Sequence, residues 1–456
     1  MPLLLSGLTY LPKILAGFWL AHRFWRDPTP AALRYKLFLG LPLGLGLWSL
    51  GYFLWIWAGL NRLLFPWVEL SISLGLTVLA LPTLKPLAVS WRWRTLLEPL
   101  NLLLLVTILV SGFLFAAWLY MDPHGHEDAW FIWNLDARFI YLANDFRILY
   151  APNGPGWHPD YPLMVPLNVV SGWVLAGTQT SRVQMAVTSL FSLILPGILY
   201  SALALLKSSR QAALATIVLL ASPMFLTYGV SQQADIPVAG FIVATLTLLA
   251  LFFKTNESGL LFLAGLTAGL SAWAKNEGLL FSLTSGLTLG LFLLSTGQGR
   301  ALWKFAAGLL FPLTVVLLYK QFLAPPNDLM TLKTLAQLFE LQRYEVIFQS
   351  LREHSLNQGW WPGLGLPITL ALYGLLVWFE VPSRRIAGLL GLTLLLQLAG
   401  YIGIYVLTPH ELTWHVDTSF ERLLLHLFPT LLFLFFYLIR SPNLNLVEGW
   451  KNAADH

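Results

Sequence analysis

Apolar residues fall along this chain in blocks of about 20, the length that spans a bilayer as a helix, and short polar connections separate them. The block "LLLLVTILVSGFLFAAWLY" at 102–120 is one such run. Candidate spans lie at about 3–21, 37–60, 67–84, 100–120, 183–206, 211–230, 235–253, 259–277, 279–297, 302–323, 361–380, 386–407 and 423–439. The pattern predicts an all-α polytopic membrane protein with about 12–13 transmembrane helices. The alternation of a membrane β-barrel is absent. Residues 1–456 read as a single transmembrane domain, without internal repeat or low-complexity tract.

Charge orients the bundle. The basic short connections are "HRFWRDPTPAALRYK", "KPLAVSWRWR", "KSSR", "FKTNE", "GQGRALWK" and "PSRR". Basic loops favour the cytoplasmic side. Alternation then places every other connection outside, and segment 163–178 must be partial or interfacial. The outside set comprises 121–160, the turns around "SQQAD" and "AKNEG", 324–360 and 408–422. It holds most of the non-basic polar residues, which played no part in fixing the orientation. Residues 327–354 place Leu332, Leu335, Phe339 and Val346 near helical spacing, with charges on the other face. This predicts an amphipathic helix on the membrane surface or over a cavity.

Composition agrees. The chain is 57% hydrophobic and 11% charged, against about 25% charged for soluble domains, and its mean hydropathy is +0.68. The net charge of +5 sits in short loops, where topology accounts for it, so no nucleic-acid partner is implied. There is no cysteine, which excludes thiolate chemistry. The N-terminal "MPLLLSGLTYLPKILAGFWLAHRFW" lacks a basic start and a small-residue cleavage site and reads as a retained membrane segment.

The outside segments carry the candidate chemistry. "MDPHGHEDAWFIWN" at 121–134 places His124, His126, Glu127 and Asp128 at a helix mouth, before an aromatic stretch. A carboxylate at the edge of a low-dielectric cavity can take a proton from a hydroxyl. The same groups suit a divalent metal, although the spacing is no sharp metal signature. Polar residues also end membrane helices for no catalytic reason. Asp235 in "QQADIPVAGF" either complements a helix dipole, with Pro237 close behind it, or lines the outer cavity. Lys275, beside Glu277 in "GLTAGLSAWAKNEG", either snorkels or meets a phosphate. Glycines 265, 269 and 278 there permit close backbone approach. "TPHELTWHVDTSFERLLLHLFP" brings His410, Glu411, His415, Asp417, Glu421, Arg422 and His426 before the last span. Arg422 enters the apolar run, where an arginine needs a carboxylate or phosphate partner. Carboxylates and cations at one non-cytoplasmic pocket suit transfer from a phosphate-bearing donor. No Walker A or Gly-rich phosphate loop occurs, and a lipid-carried donor would already present its head group outside.

From about residue 100 onward the chain resembles the GT-C superfamily of membrane glycosyltransferases, and within it the branch of protein O-mannosyltransferases and the lipid A aminoarabinose transferase. Four features match in order: paired acids after a span (Glu127–Asp128), an acid opening a helix (Asp235), a "GLxxGLxxxxKxEG"-like hairpin carrying Lys275, and an outer arginine before a late span (Arg422). The resemblance implies a core over 96–440, with residues 1–95 as additional helices. It implies an inverting transfer from a polyprenyl-phosphate-linked sugar to a hydroxyl of a lipid, glycan or protein acceptor. Asp128 would be the base with Glu127 as the alternative, and Lys275 and Arg422 would hold the donor phosphate. Asp235, His126, Glu277 and His415 would line the cavity. No cofactor is required by this reading, though a divalent metal stays open. Trp130, Trp133, Trp157 and Tyr161 would stack on sugar or prenyl chain, or form an interfacial belt. The expected location is the plasma (inner) membrane with the site facing the periplasm or exterior. A transporter or flippase, a polymerase or ligase of lipid-linked glycans, and a non-catalytic scaffold are the rival readings.

Overall fold

A computed structural model describes residues 3–83, 97–151, 158–326, 332–357 and 365–441. These residues form 18 α-helices, and no strand occurs among them beyond a single bridge between Phe379 and Ile439. In chain order the helices are α1 (Leu3–Leu8), α2 (Leu11–Phe24), α3 (Pro30–Trp57), α4 (Phe65–Ala80), α5 (Pro99–Met121), α6 (Asn134–Ala143), α7 (Met164–Ala176), α8 (Ser181–Leu206) and α9 (Ser209–Leu220). There follow α10 (Pro223–Val230), α11 (Asp235–Thr255), α12 (Gly259–Ala274), α13 (Glu277–Ser295), α14 (Leu302–Phe322), α15 (Leu341–Asn357), α16 (Leu366–Val377), α17 (Arg384–Leu407) and α18 (Leu412–Leu438). In lipid every backbone polar group must bond within its own segment, which leaves the helix as the open choice for such sequences. Their ends are marked locally. Thr29 and Ser383 accept from Ala32 N and Ile386 N. Proline opens α3, α5 and α10, and Asn256 closes α11 in the left-handed region.

Among the described residues nine helices are long and apolar enough to cross a membrane, fewer than the 12–13 expected. Three local causes account for the difference. The first apolar run is interrupted near Tyr10 and yields α1 and α2. The run at 211–230 breaks before Pro223 into α9 and α10, bent by 65°, and counts as a tenth span if taken together. Proline removes a helical N–H and disfavours helix in the residue before it. Finally α12 and α16 are shorter apolar helices, and 16 residues of α12 reach only about 24 Å. Segment 163–178 is α7, partial as expected, and it is buried from Met164 through Trp173.

At the centre stands α11, almost wholly buried against α8, α12 and α18. Helix α5 lies at the rim and exposes Leu102, Leu103, Leu105, Leu109 and Val110. Such a face needs lipid to cover it. The protein is an integral membrane protein by these helices and their exposed apolar faces. Two expected outer loops are more ordered than their polarity suggested. Most of 408–422 is the first three turns of α18. The segment 327–354 is helical but broken: a 3₁₀ stretch at Leu332–Phe339 precedes α15, and residues 327–331 lie outside the described part. Leu335 and Phe339 are exposed, whereas Ile347 is buried.

Candidate active site

The acid-bearing loop is pinned to the turn before α11. Gly125 adopts φ +75°, and a Cβ there would meet the Ser231 carbonyl at 2.6 Å, so only glycine fits. The His126 N–H donates to Ser231 O at 3.2 Å. Gln232, itself at φ 60°, donates to Pro123 O at 3.0 Å and accepts from the Asn134 amide at 2.8 Å. Asn134 also donates to His124 O. Directly after Asp128 the backbone makes one π-helical turn, Ala129–Trp133, before α6 begins. Such single turns reposition side chains and recur at functional sites.

This pinning brings the two ends of the sequence pattern together. Asp128, at the mouth of α5, forms an ion pair with Arg422 of α18, 294 residues later. Arg422 also donates to Thr418 O, one turn back on its own helix, at 3.1 Å. Its Nε is buried without a partner. One turn further along α18, His426 is fully buried, with Nε2 at 3.0 Å from Asp235 Oδ1 and Nδ1 at 3.0 Å from the Tyr401 hydroxyl. A carboxylate only accepts, so the imidazole proton sits on Nε2. Thr418, Arg422 and His426 follow at four-residue spacing, which places them on one face of α18.

Asp235 and Lys275 form the second half. The Lys275 ammonium lies 2.8 Å from Asp235 Oδ1 and 3.1 Å from Glu277 Oε1. Its side chain is 4% exposed, against 18% for Arg422. Burial works against the ammonium charge, and the carboxylates of Asp235 and Glu277 more than offset it, so the Lys275 pKa lies above the ordinary lysine value. Asp235 Oδ2 and Glu277 Oε2 are buried acceptors without partners. Arg422 stands near enough for its charge to act on Asp235 and on Tyr161. These pairs thus form one electrostatic cluster, with three cationic or imidazole groups around three carboxylates. Below Lys275 lies the Tyr161 ring, 5.7 Å from the ammonium, stacked on Trp133 and on His158 at 5.4 and 4.8 Å.

Among the predicted site residues, then, Asp128, Arg422, Asp235, Lys275 and Glu277 converge. Glu127 is exposed and does not join them. His126 contributes a backbone contact. His415 bonds Thr408 at 2.9 Å and packs on Tyr405, whose hydroxyl neighbours the cluster. Glu411 serves α18 as its N-cap: the N–H groups of Trp414 and Thr413 bond its carboxylate and hold its pKa below the ordinary value. Of the aromatics, Trp133 and Tyr161 border the cluster, Trp130 is exposed, and Trp157 lies outside the described residues. Among the described residues no three His, Asp or Glu side chains gather in a metal-binding group.

Several residues join the site without having been singled out for it. His426 stood in a polar segment, but nothing in its spacing ties it to an acid 191 residues earlier. Asp160 is buried and accepts from the Asn276 amide at 2.6 Å and from Lys320 at 3.3 Å, bracing the hairpin that carries Lys275. Tyr228 donates to Glu421 at 3.1 Å.

Residues 160–322 match the sequence model of the dolichyl-phosphate-mannose-protein mannosyltransferase family. The matched segment runs from Asp160 to the end of α14 and includes Asp235, Lys275 and Glu277. No curated protein and no solved structure matches the chain. The match covers about a third of the chain and supports membership of the GT-C superfamily of membrane glycosyltransferases.

Proposed function

We propose that the protein transfers a sugar from a polyprenyl-phosphate-linked donor to an acceptor hydroxyl, with inversion, at the non-cytoplasmic face of the plasma (inner) membrane. The observation that carries this reading is the meeting of Asp128 with Arg422, next to Asp235 and Lys275. A carboxylate and a planar cation share one open edge of the cluster, with a buried ammonium behind it.

Each group has a task. Asp128 takes the proton from the acceptor hydroxyl as its oxygen attacks the anomeric carbon. The bond from that carbon to the donor phosphate breaks, and the electron pair leaves with the polyprenyl phosphate. Attack from the side opposite the phosphate inverts the anomeric centre. Phosphate is a good leaving group, so positioning and charge stabilisation do most of the work. Arg422 offers a fork that matches phosphate oxygens, and its exposed edge makes it the first cation a donor would meet. Lys275 adds its charge from within, held by Asp235 and Glu277, while His426 fixes Asp235 from the other side. Donor binding draws Arg422 off Asp128, which leaves that carboxylate free for the proton. The acceptor, whether lipid, glycan or protein, enters on the side of the 130–161 segment, where Trp130 is exposed, whereas Trp133 is buried and the Tyr161 ring is stacked on Trp133 and His158. The family's description, which names a dolichyl-phosphate-linked mannose and protein acceptors, supports a lipid-linked donor.

The test is transfer of labelled sugar from a synthetic polyprenyl phosphate by the purified protein in nanodiscs. Asp128→Asn is expected to lose transfer by roughly 10²–10⁴-fold, the usual contribution of a general base, while its thermal unfolding matches wild type. Glu127→Gln is expected to keep activity. Unchanged transfer by Asp128→Asn would remove Asp128 as the base.

A further inference from the structure

The connection between α3 and α4 forms a second polar feature, at the same end of the bundle as the acid-bearing loop. An open groove lies there, lined among others by Asn61, Arg62, Asn144, Asp145 and Arg147. Its two arginines are fixed by backbone carbonyls. Arg62 donates to Tyr141 O and lies over the Tyr141 ring at 4.6 Å. Arg147 donates to Trp57 O at 3.3 Å and pairs with Asp145 at 3.0 Å. Each guanidinium has five donors, so these bonds hold both forks in place and leave N–H groups facing the groove. Asp145 is spoken for as the cap of the 3₁₀ turn at Phe146–Tyr150, accepting from Arg147 N at 3.0 Å. The groove therefore carries net positive charge.

Its surroundings say what kind of anion it faces. Leu60, Leu63, Leu64 and Trp67, on the same connection and the first turn of α4, are 48%, 56%, 54% and 66% exposed. Apolar side chains at the tip between two spans dip into lipid, and an exposed tryptophan there marks the headgroup level. A pair of fixed arginines at that level lies where bilayer phosphates lie. We infer that the Arg62–Arg147 groove binds the phosphate of an anionic membrane lipid, at a site separate from the Asp128–Arg422 cluster. The two sites are joined by α6, whose 10 residues hold them about 15 Å apart along its axis. The bound headgroup fixes the far end of the helix that follows the acid-bearing loop. This inference does not depend on the transferase reading.

The experiment is native mass spectrometry of the full-length protein titrated with phosphatidylglycerol or phosphatidylcholine in mixed micelles. Wild type is expected to retain phosphatidylglycerol in preference. Arg62→Gln with Arg147→Gln keeps amide donors for the carbonyls and should bind phosphatidylglycerol roughly thirtyfold more weakly, about fivefold for each surface cation. Asp145→Asn keeps the cap while removing the opposing charge, and should bind about fivefold more tightly. Arg138→Gln, an exposed arginine on the same helix, should change nothing. The Asp145→Asn result stands even if the double variant does not fold. Inorganic phosphate at millimolar concentration should fail to displace the lipid. Displacement would keep the phosphate site and make its source soluble. Equal retention of the two lipids by wild type, or no change in both the double variant and Asp145→Asn, would overturn the inference.

Discussion

At the scale of single residues, Asp235 bears the most constraint. One of its oxygens meets both Lys275 and His426, and the other is buried without a partner. Breaking a buried ion pair from one side leaves an uncompensated charge, typically at a cost of about 3–5 kcal/mol. Lys275→Met alone and Asp235→Leu alone should therefore each unfold at markedly lower denaturant than wild type. The double substitution should be less destabilised than either single one, as measured by unfolding in detergent. Arg422→Lys keeps the charge and loses the fork, and is expected to raise the KM for donor more than it lowers kcat. The sequence showed that Arg422 needed an anionic partner, because a cation on an apolar run is costly, and it left Lys275 either to snorkel or to meet a phosphate. It did not show which partners. Those lie 40 and 294 residues away, beyond the reach of any helical spacing.

Elements were legible where one physical rule decides them. Long apolar blocks became helices at nearly the expected residues, since lipid leaves the backbone no alternative. Where competing rules met, the pattern misled. Polar residues 408–422 read as a loop, yet the Glu411 cap starts α18 among them. The amphipathic segment at 327–354 is interrupted at Glu340, between its 3₁₀ stretch and α15, which hydrophobic periodicity alone does not reveal. The glycine-rich hairpin was read correctly as a close approach. A Cβ on Gly265 would meet Phe305 O at 1.9 Å, and one on Gly308 would meet Phe262 O at 2.0 Å. Gly265→Ala should therefore force α12 from α14, lower the unfolding temperature and displace Lys275, reducing transfer. Gly75 in α4 has open space where a Cβ would stand. Gly75→Ala should raise stability by up to about 1 kcal/mol through helix propensity. Opposite signs at the two glycines separate packing from propensity in one thermal-unfolding experiment.

For the whole molecule, the charge bias of the loops sorted helix ends into two groups, and the acid-bearing loop, the turn before α11, the Lys275 hairpin and the start of α18 do meet at one end. The natural absence of cysteine makes the sidedness directly measurable. Glu127→Cys and Asn61→Cys, both exposed, should react with an impermeant maleimide from the non-cytoplasmic side of intact cells. Gln298→Cys, exposed at the opposite end between α13 and α14, should react only after permeabilisation. Labelling of all three from one side would contradict the proposed orientation.

The claim on which the functional account rests is that Arg422 leaves Asp128 for the donor phosphate. Equilibrium binding of sugar-free polyprenyl phosphate to the purified protein, wild type against Asp128→Asn and Arg422→Gln, tests it most directly. The account predicts that Arg422→Gln binds at least tenfold more weakly, on the order of the about 1.5–3 kcal/mol carried by a charge-assisted bond. It predicts that Asp128→Asn, although impaired in transfer, binds as tightly as wild type or more so. Equal weakening in both variants, or undiminished binding by Arg422→Gln, would contradict it.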